Sequence, residues 1–70
     1  MITSDPRGAE IEVDGKFVGH TPSAIELSLG EHEVVIRKPG YKPWARALEA
    51  MGGEVNLSAD LEQQEQVARH

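Results

Sequence analysis

His20 and His32, with Glu31 and Glu33 flanking the second, are the residues whose types could hold a metal, because imidazole and carboxylate both suit zinc. Alternation along an extended strand, however, sets Glu31 and Glu33 on the face opposite His32, which shares its parity with Val34 and Ile36. No metal site is expected. His32 reads instead as a half-buried ring bonded to neighbouring backbone, and His20 as a surface loop residue. Ser4, Ser23, Ser28 and Ser58 could serve as nucleophiles, yet none lies in a Gly-x-Ser-x-Gly elbow, and a serine needs a base with an orienting acid. Glu10/Glu12 and Glu31/Glu33 are like charges at strand spacing, which describes a solvated face better than an acid/base pair. Gly15 and Gly19 flank Lys16 without the spacing of a phosphate loop or a following helix. Aromatic rings stack on sugars and on partners, so Tyr41 and Trp44, together with Lys16, are the candidate ligand or partner contacts. Parity nonetheless groups Trp44 with Leu48, on the core side. No catalytic, cofactor-binding or metal-binding residue is assigned, and no enzymatic activity is expected.

The elements that position these residues are short. Gly and Pro interrupt the chain from Pro6 to Gly53, leaving segments of roughly four to eight residues, a strand length. Within them apolar residues alternate: Ile11 and Val13; Ile25, Leu27 and Leu29; Val34 and Ile36; Val55, Leu57, Ala59 and Leu61. Asp14-Gly15 suits a tight hairpin turn with positive φ. Leu29-Gly30-Glu31, Lys38-Pro39-Gly40-Tyr41 and Met51-Gly52-Gly53-Glu54 mark further reversals. The predicted strands are Ile2–Ser4, Glu10–Val13, Lys16–Gly19, Ser23–Leu29, Glu31–Lys38, Lys42–Ala50 and Glu54–Leu61, with successive strands antiparallel. Ala45–Met51 has helical propensity, but Gly52-Gly53 closes it as a hairpin. Seven short strands argue for an all-β, two-sheet sandwich. The expected core is Ile11, Val13, Ile25, Leu27, Val34, Ile36, Trp44, Leu48, Val55 and Leu57. Residues 1–61 form the domain, and residues 62–70, rich in Glu and Gln, read as a linker or frayed helix. Ile2–Ser4 and Lys16–Gly19 are the expected sheet edges.

Seventy residues allow one small domain, which buries only about 60% of the surface its unfolded chain exposes. A hydrophobic fraction of 39% excludes a disordered tail, and the absence of cysteine removes disulfides and thiolate-held zinc as supports. Aliphatic packing must carry the fold. A formal net charge of −5 repels phosphate backbones and argues against nucleic-acid binding. No export signal opens the chain, and no apolar run is long enough to insert into a membrane. A protein without thiols is indifferent to the redox compartment.

Asp5-Pro6-Arg7-Gly8-Ala9-Glu10-Ile11-Glu12-Val13-Asp14-Gly15, then Gly19-His20-Thr21-Pro22, then the run Gly30 to Tyr41, together resemble the PEGA domain across about Thr3 to Leu61. Arg7 stands where the family motif has Glu, at an exposed turn position. The resemblance implies a small antiparallel prealbumin-like β-sandwich, found as an accessory domain in prokaryotic surface proteins or appended to enzymes such as protein kinases. It implies no catalytic residues and no cofactor. The expected role is a non-catalytic module that mediates protein contacts or spaces domains, with other domains of the host polypeptide or another protein as partner. The alternative is a carbohydrate-binding module at the cell envelope; the sequence leaves the compartment open, and an extracytoplasmic or cell-envelope location is favoured.

Overall fold

A computed structural model describes residues 1–64. Those residues are all-β, in eight strands: β1 Ile2–Asp5, β2 Glu10–Val13, β3 Lys16–His20, β4 Glu26–Leu27, β5 Gly30–Arg37, β6 Trp44–Ala50, β7 Gly53–Glu54 and β8 Leu57–Asp60. β3-β2-β5-β6 form a four-stranded antiparallel sheet. Facing it lie two small pairs, β4 with β7 and β1 with β8.

The hairpins follow local chemistry. Asp14 takes φ 51° and Gly15 φ 84°, so the β2–β3 turn uses the positive dihedrals that Asp-Gly supplies. Ala45 to Ala50 is strand despite its propensity, because it pairs residue for residue with β5, from Ile36↔Trp44 to Gly30↔Ala50. This strand begins at Trp44 and not at Lys42. Pro43 has no N–H to give, and the Lys42 N–H donates to the Glu62 carbonyl at 2.8 Å.

Three expectations change in the second layer. Ser23–Leu29 shortens to Glu26–Leu27, with Ser23 making an isolated bridge to Ile2. Glu54–Leu61 divides into β7 and β8, because the segment changes partner midway: Glu54 pairs with Glu26, whereas Leu57 pairs with Ile2. The β1–β8 pair is parallel, where every other pairing is antiparallel. Ile2–Ser4 is an outer strand of the β1–β8 pair, as expected, but its free side is closed at Ile2 by the bridge to Ser23. β1 is wedged between Ser23 and β8, exchanging hydrogen bonds with Ser23 through Ile2 and with Leu57 through the Met1 carbonyl. Backbone pairing continues past Leu61. Gln63 bridges Tyr41, and the Gln64 N–H donates to the Gly40 carbonyl, so Glu62–Gln64 belong to the folded body. The remainder of the expected linker or frayed helix, residues 65–70, lies outside the described residues.

Between the layers Ile2, Ile11, Val34 and Ile36 are fully buried, joined by Ala9, Leu27, Ala50 and Ala59. Val13, Ile25, Trp44, Leu48, Val55 and Leu57 pack partly buried against them, so every expected core residue reaches the core or its margin. Burial of Ile2 was not anticipated, and it is what the wedge accomplishes.

Among the described residues the one buried polar residue is Thr21, at 4% exposure. Ser4 Oγ lies 2.7 Å from the Pro6 carbonyl, which can only accept, so the Ser4 proton goes there. The 2.6 Å contact between Ser4 Oγ and Thr21 Oγ1 must then use the Thr21 proton. The Thr21 oxygen in turn accepts from the Gly8 and Ala9 N–H groups at 3.1 and 3.0 Å. Backbone bonds from Gly8 N–H to Thr21 O and from Thr21 N–H to Ala9 O close the same contact. Gly8, at φ 86°, supplies the bend that aims those two donors at one oxygen.

Thr21→Val keeps the shape and removes the acceptor, and a buried donor left unpaired costs about 1–3 kcal/mol. Thr21→Ser loses one buried methyl, about 1 kcal/mol. Thermal melts are therefore expected to rank wild type above Thr21→Ser above Thr21→Val. A Thr21→Val protein as stable as wild type would remove the hydroxyl from this role.

Candidate interaction surface

β3 is the outermost strand of the four-stranded sheet, bonded to β2 alone, and none of its residues is buried. Lys16 opens it, exposed, opposite Val13. The register shifts between Ile11↔Gly19 and Glu12↔Phe17, leaving Val18 as the extra residue of a bulge. Phe17 is 56% exposed and Val18 42%. The Phe17 and His20 rings meet edge to face at 5.2 Å. His20 is thus the last residue of a strand, exposed, and not a loop residue. On the outer sheet face Phe17 starts a cross-strand row, Phe17–Glu12–Val35–Ala45. Phe17 was not singled out from the sequence; its place beside an acidic partner-strand residue on the outward parity of β2 was the available signal.

Tyr41 and Trp44 are not brought together. Tyr41, half-buried, lines one open cleft of about 310 Å³ with Arg37, Lys38 and Glu10. Trp44, also half-buried, lines another of about 420 Å³ with Lys42, Asp60 and Glu62. The Arg46 guanidinium carbon sits 4.9 Å from the Trp44 ring centroid, occupying one ring face with a cation–π contact. Trp44 otherwise packs on the core.

His32 is half-buried and bonds to Ser28 backbone as anticipated, but a second partner was missed. Its Nε2 lies 2.8 Å from the Ser28 carbonyl, its Nδ1 2.6 Å from Asp14 Oδ2. Both acceptors favour a doubly protonated ring. The hydrogen bond to Asp14, then that to Ser28, raise the His32 pKa above its ordinary 6.5. The Glu33 N–H at 2.9 Å, then the His32 ring, hold Asp14 below its ordinary 3.8. The pair ties the β2–β3 turn to the β4–β5 connection. Glu31 and Glu33 are exposed, and among the described residues no group of three or more His, Asp or Glu is placed to hold a metal.

A model of the PEGA domain matches residues 1–65 of the sequence. The chain belongs to the PEGA family. PEGA domains are small accessory domains. Comparison with curated proteins and with solved structures finds no match. Two of the three segments that carry the PEGA resemblance meet in space, since Thr21 of one receives the Gly8 and Ala9 amides of the other.

Stability of this PEGA domain should depend on pH at both ends. A raised His32 pKa gives stability that is full below 6.5 and lost as pH rises through the folded value above it. A lowered Asp14 pKa gives stability present above 3.8 and lost as pH falls through the folded value below it. Chemical denaturation across pH is expected to show His32→Gln flattening the alkaline fall and Asp14→Asn flattening both. An alkaline limb unchanged in His32→Gln would count against the pair.

Proposed function

We propose that this PEGA domain is a non-catalytic accessory module that mediates protein–protein contacts or spaces domains within a larger prokaryotic protein, at the cell envelope. The observation that carries the reading is β3, a whole strand without a buried residue, with backbone partners on one side and Phe17 and Val18 exposed. A strand in that position can accept another chain by β-augmentation. Lys16 and the bulge at Val18 are the features that blunt an edge against indiscriminate pairing, leaving room for a selected partner. Sugar binding is the weaker reading. It needs an open aromatic platform, whereas Tyr41 and Trp44 line separate clefts and Arg46 lies on the Trp44 ring.

Sedimentation at rising concentration is expected to reveal weak association that Val18→Lys abolishes, with blue-shifted tryptophan emission indifferent to polysaccharides. Association untouched by Val18→Lys would sink the edge. Red-shifted emission that saturates on adding a glycan would establish the carbohydrate reading in its place.

A further inference from the structure

Two crossovers between the layers lie side by side at one end of the sandwich. Ser28-Leu29 leads from β4 to β5 and Met51-Gly52 from β6 to β7, and their flanks are register partners, Gly30↔Ala50 in one sheet and Leu27↔Gly53 in the other. Leu29 is 75% exposed and Met51 84%, more than any other large hydrophobic side chain among the described residues. One register step away, Glu31 stands directly opposite Glu49 on one layer, and Glu26 directly opposite Glu54 on the other. Like charges facing each other across strands are destabilising. Glu54 accepts from the Met1 amino group at 3.0 Å, while Glu26, Glu31 and Glu49 have no ion-pair partner among the described residues.

We infer that this end is a docking site for a protein segment that carries lysine or arginine beside an apolar side chain. Leu29 and Met51 supply adjacent apolar contacts, and the Glu pairs supply carboxylates on both sides of them, so the complementary occupant is cationic and amphipathic. The acidic flanks repel anionic lipid and nucleic acid. A bound metal is not the occupant, since no cluster of three or more ligating side chains is present among the described residues. Facing carboxylates that weaken the free module and strengthen the complex explain why the Glu pairs sit beside the two most exposed apolar residues. The inference rests on the reading of the chain as a protein-contact module but uses a surface separate from β3, so Val18→Lys leaves it intact.

The test is an NMR titration of the isotope-labelled chain with a peptide of alternating leucine and lysine. Shifts are expected to concentrate at Leu29–Glu31 and Glu49–Gly53. Replacing leucine by serine in the peptide, or Leu29→Ser with Met51→Ser in the chain, should weaken binding about tenfold. Glu31→Gln with Glu49→Gln should weaken it about tenfold as well, while raising the melting temperature of the free chain by a few degrees. That opposed pair of effects marks a binding site, since a carboxylate kept for stability would lower the melting temperature when neutralised. Shifts spread over the acidic surface, or unchanged by the Glu substitutions, would overturn the inference. So would the same residues responding to phosphatidylcholine vesicles, which would make the end a membrane contact, or self-association abolished by Leu29→Ser, which would make the occupant a second copy.

Discussion

One hydroxyl ties the entry turn of this sandwich to the segment that closes over it. The turn between β1 and β2 buries Ala9 against the core, which takes the Ala9 amide out of water and the Gly8 amide partly so, and both need an acceptor. Thr21 Oγ1 takes both, and its own proton is satisfied by Ser4, whose proton goes to Pro6. The chain of donors has one consistent direction and leaves no buried side-chain polar atom unpartnered among the described residues. It also joins three segments that share no strand pairing: the end of β1, the turn after it, and the segment that follows β3. In a domain without cysteine, and so without disulfides, fixing those segments to one another supports the aliphatic packing.

The wedge of β1 follows from that anchoring. With Ser4 held to Thr21, Ile2 lies between Ser23 and β8 and is fully buried. Segments 25–27 and 53–55 pair directly beyond the wedge, and β8 turns away to receive β1 in parallel. Two pairings of different sense thus come from one continuous stretch. The four-stranded sheet has no such division because β5 and β6 run in unbroken register.

Local chemistry was legible in the sequence; non-local pairing was not. Asp14-Gly15 announced its turn because the constraint lies within two residues, and the parity of Val34, Ile36, Trp44 and Leu48 announced the inner face because it repeats every second residue. Ile2 carried no such pattern, so its burial depended on partners more than fifty positions away in the chain. Ser23–Leu29 alternates like a strand, but only Glu26–Leu27 finds a ladder, since Ser23 is taken by β1. Of the candidate contacts, Lys16 fell on an edge as its turn implied. Tyr41 and Trp44 were close in sequence, yet Pro43 between them starts the strand only at Trp44, and the two rings line different clefts. Asp14 as the partner of His32 was invisible for the same reason as Ile2: eighteen residues separate them, and only the sheet register brings them together.

Family membership and contact chemistry are written in different residues of this chain. On each strand the inward positions answer to packing density, so Ile11, Val34 and Ile36 can vary little without leaving a cavity. The turn residues Gly8, Asp14, Gly15 and Thr21 answer to backbone dihedrals and buried amides. Outward positions and crossover tips answer to neither. A sandwich would fold as well with threonine at Glu31 or serine at Met51, so the concentration of unpaired carboxylates and exposed apolar side chains at one end is not demanded by the scaffold. The PEGA signature therefore specifies the frame, and the partner chemistry of any one member has to be read from what its frame leaves unconstrained.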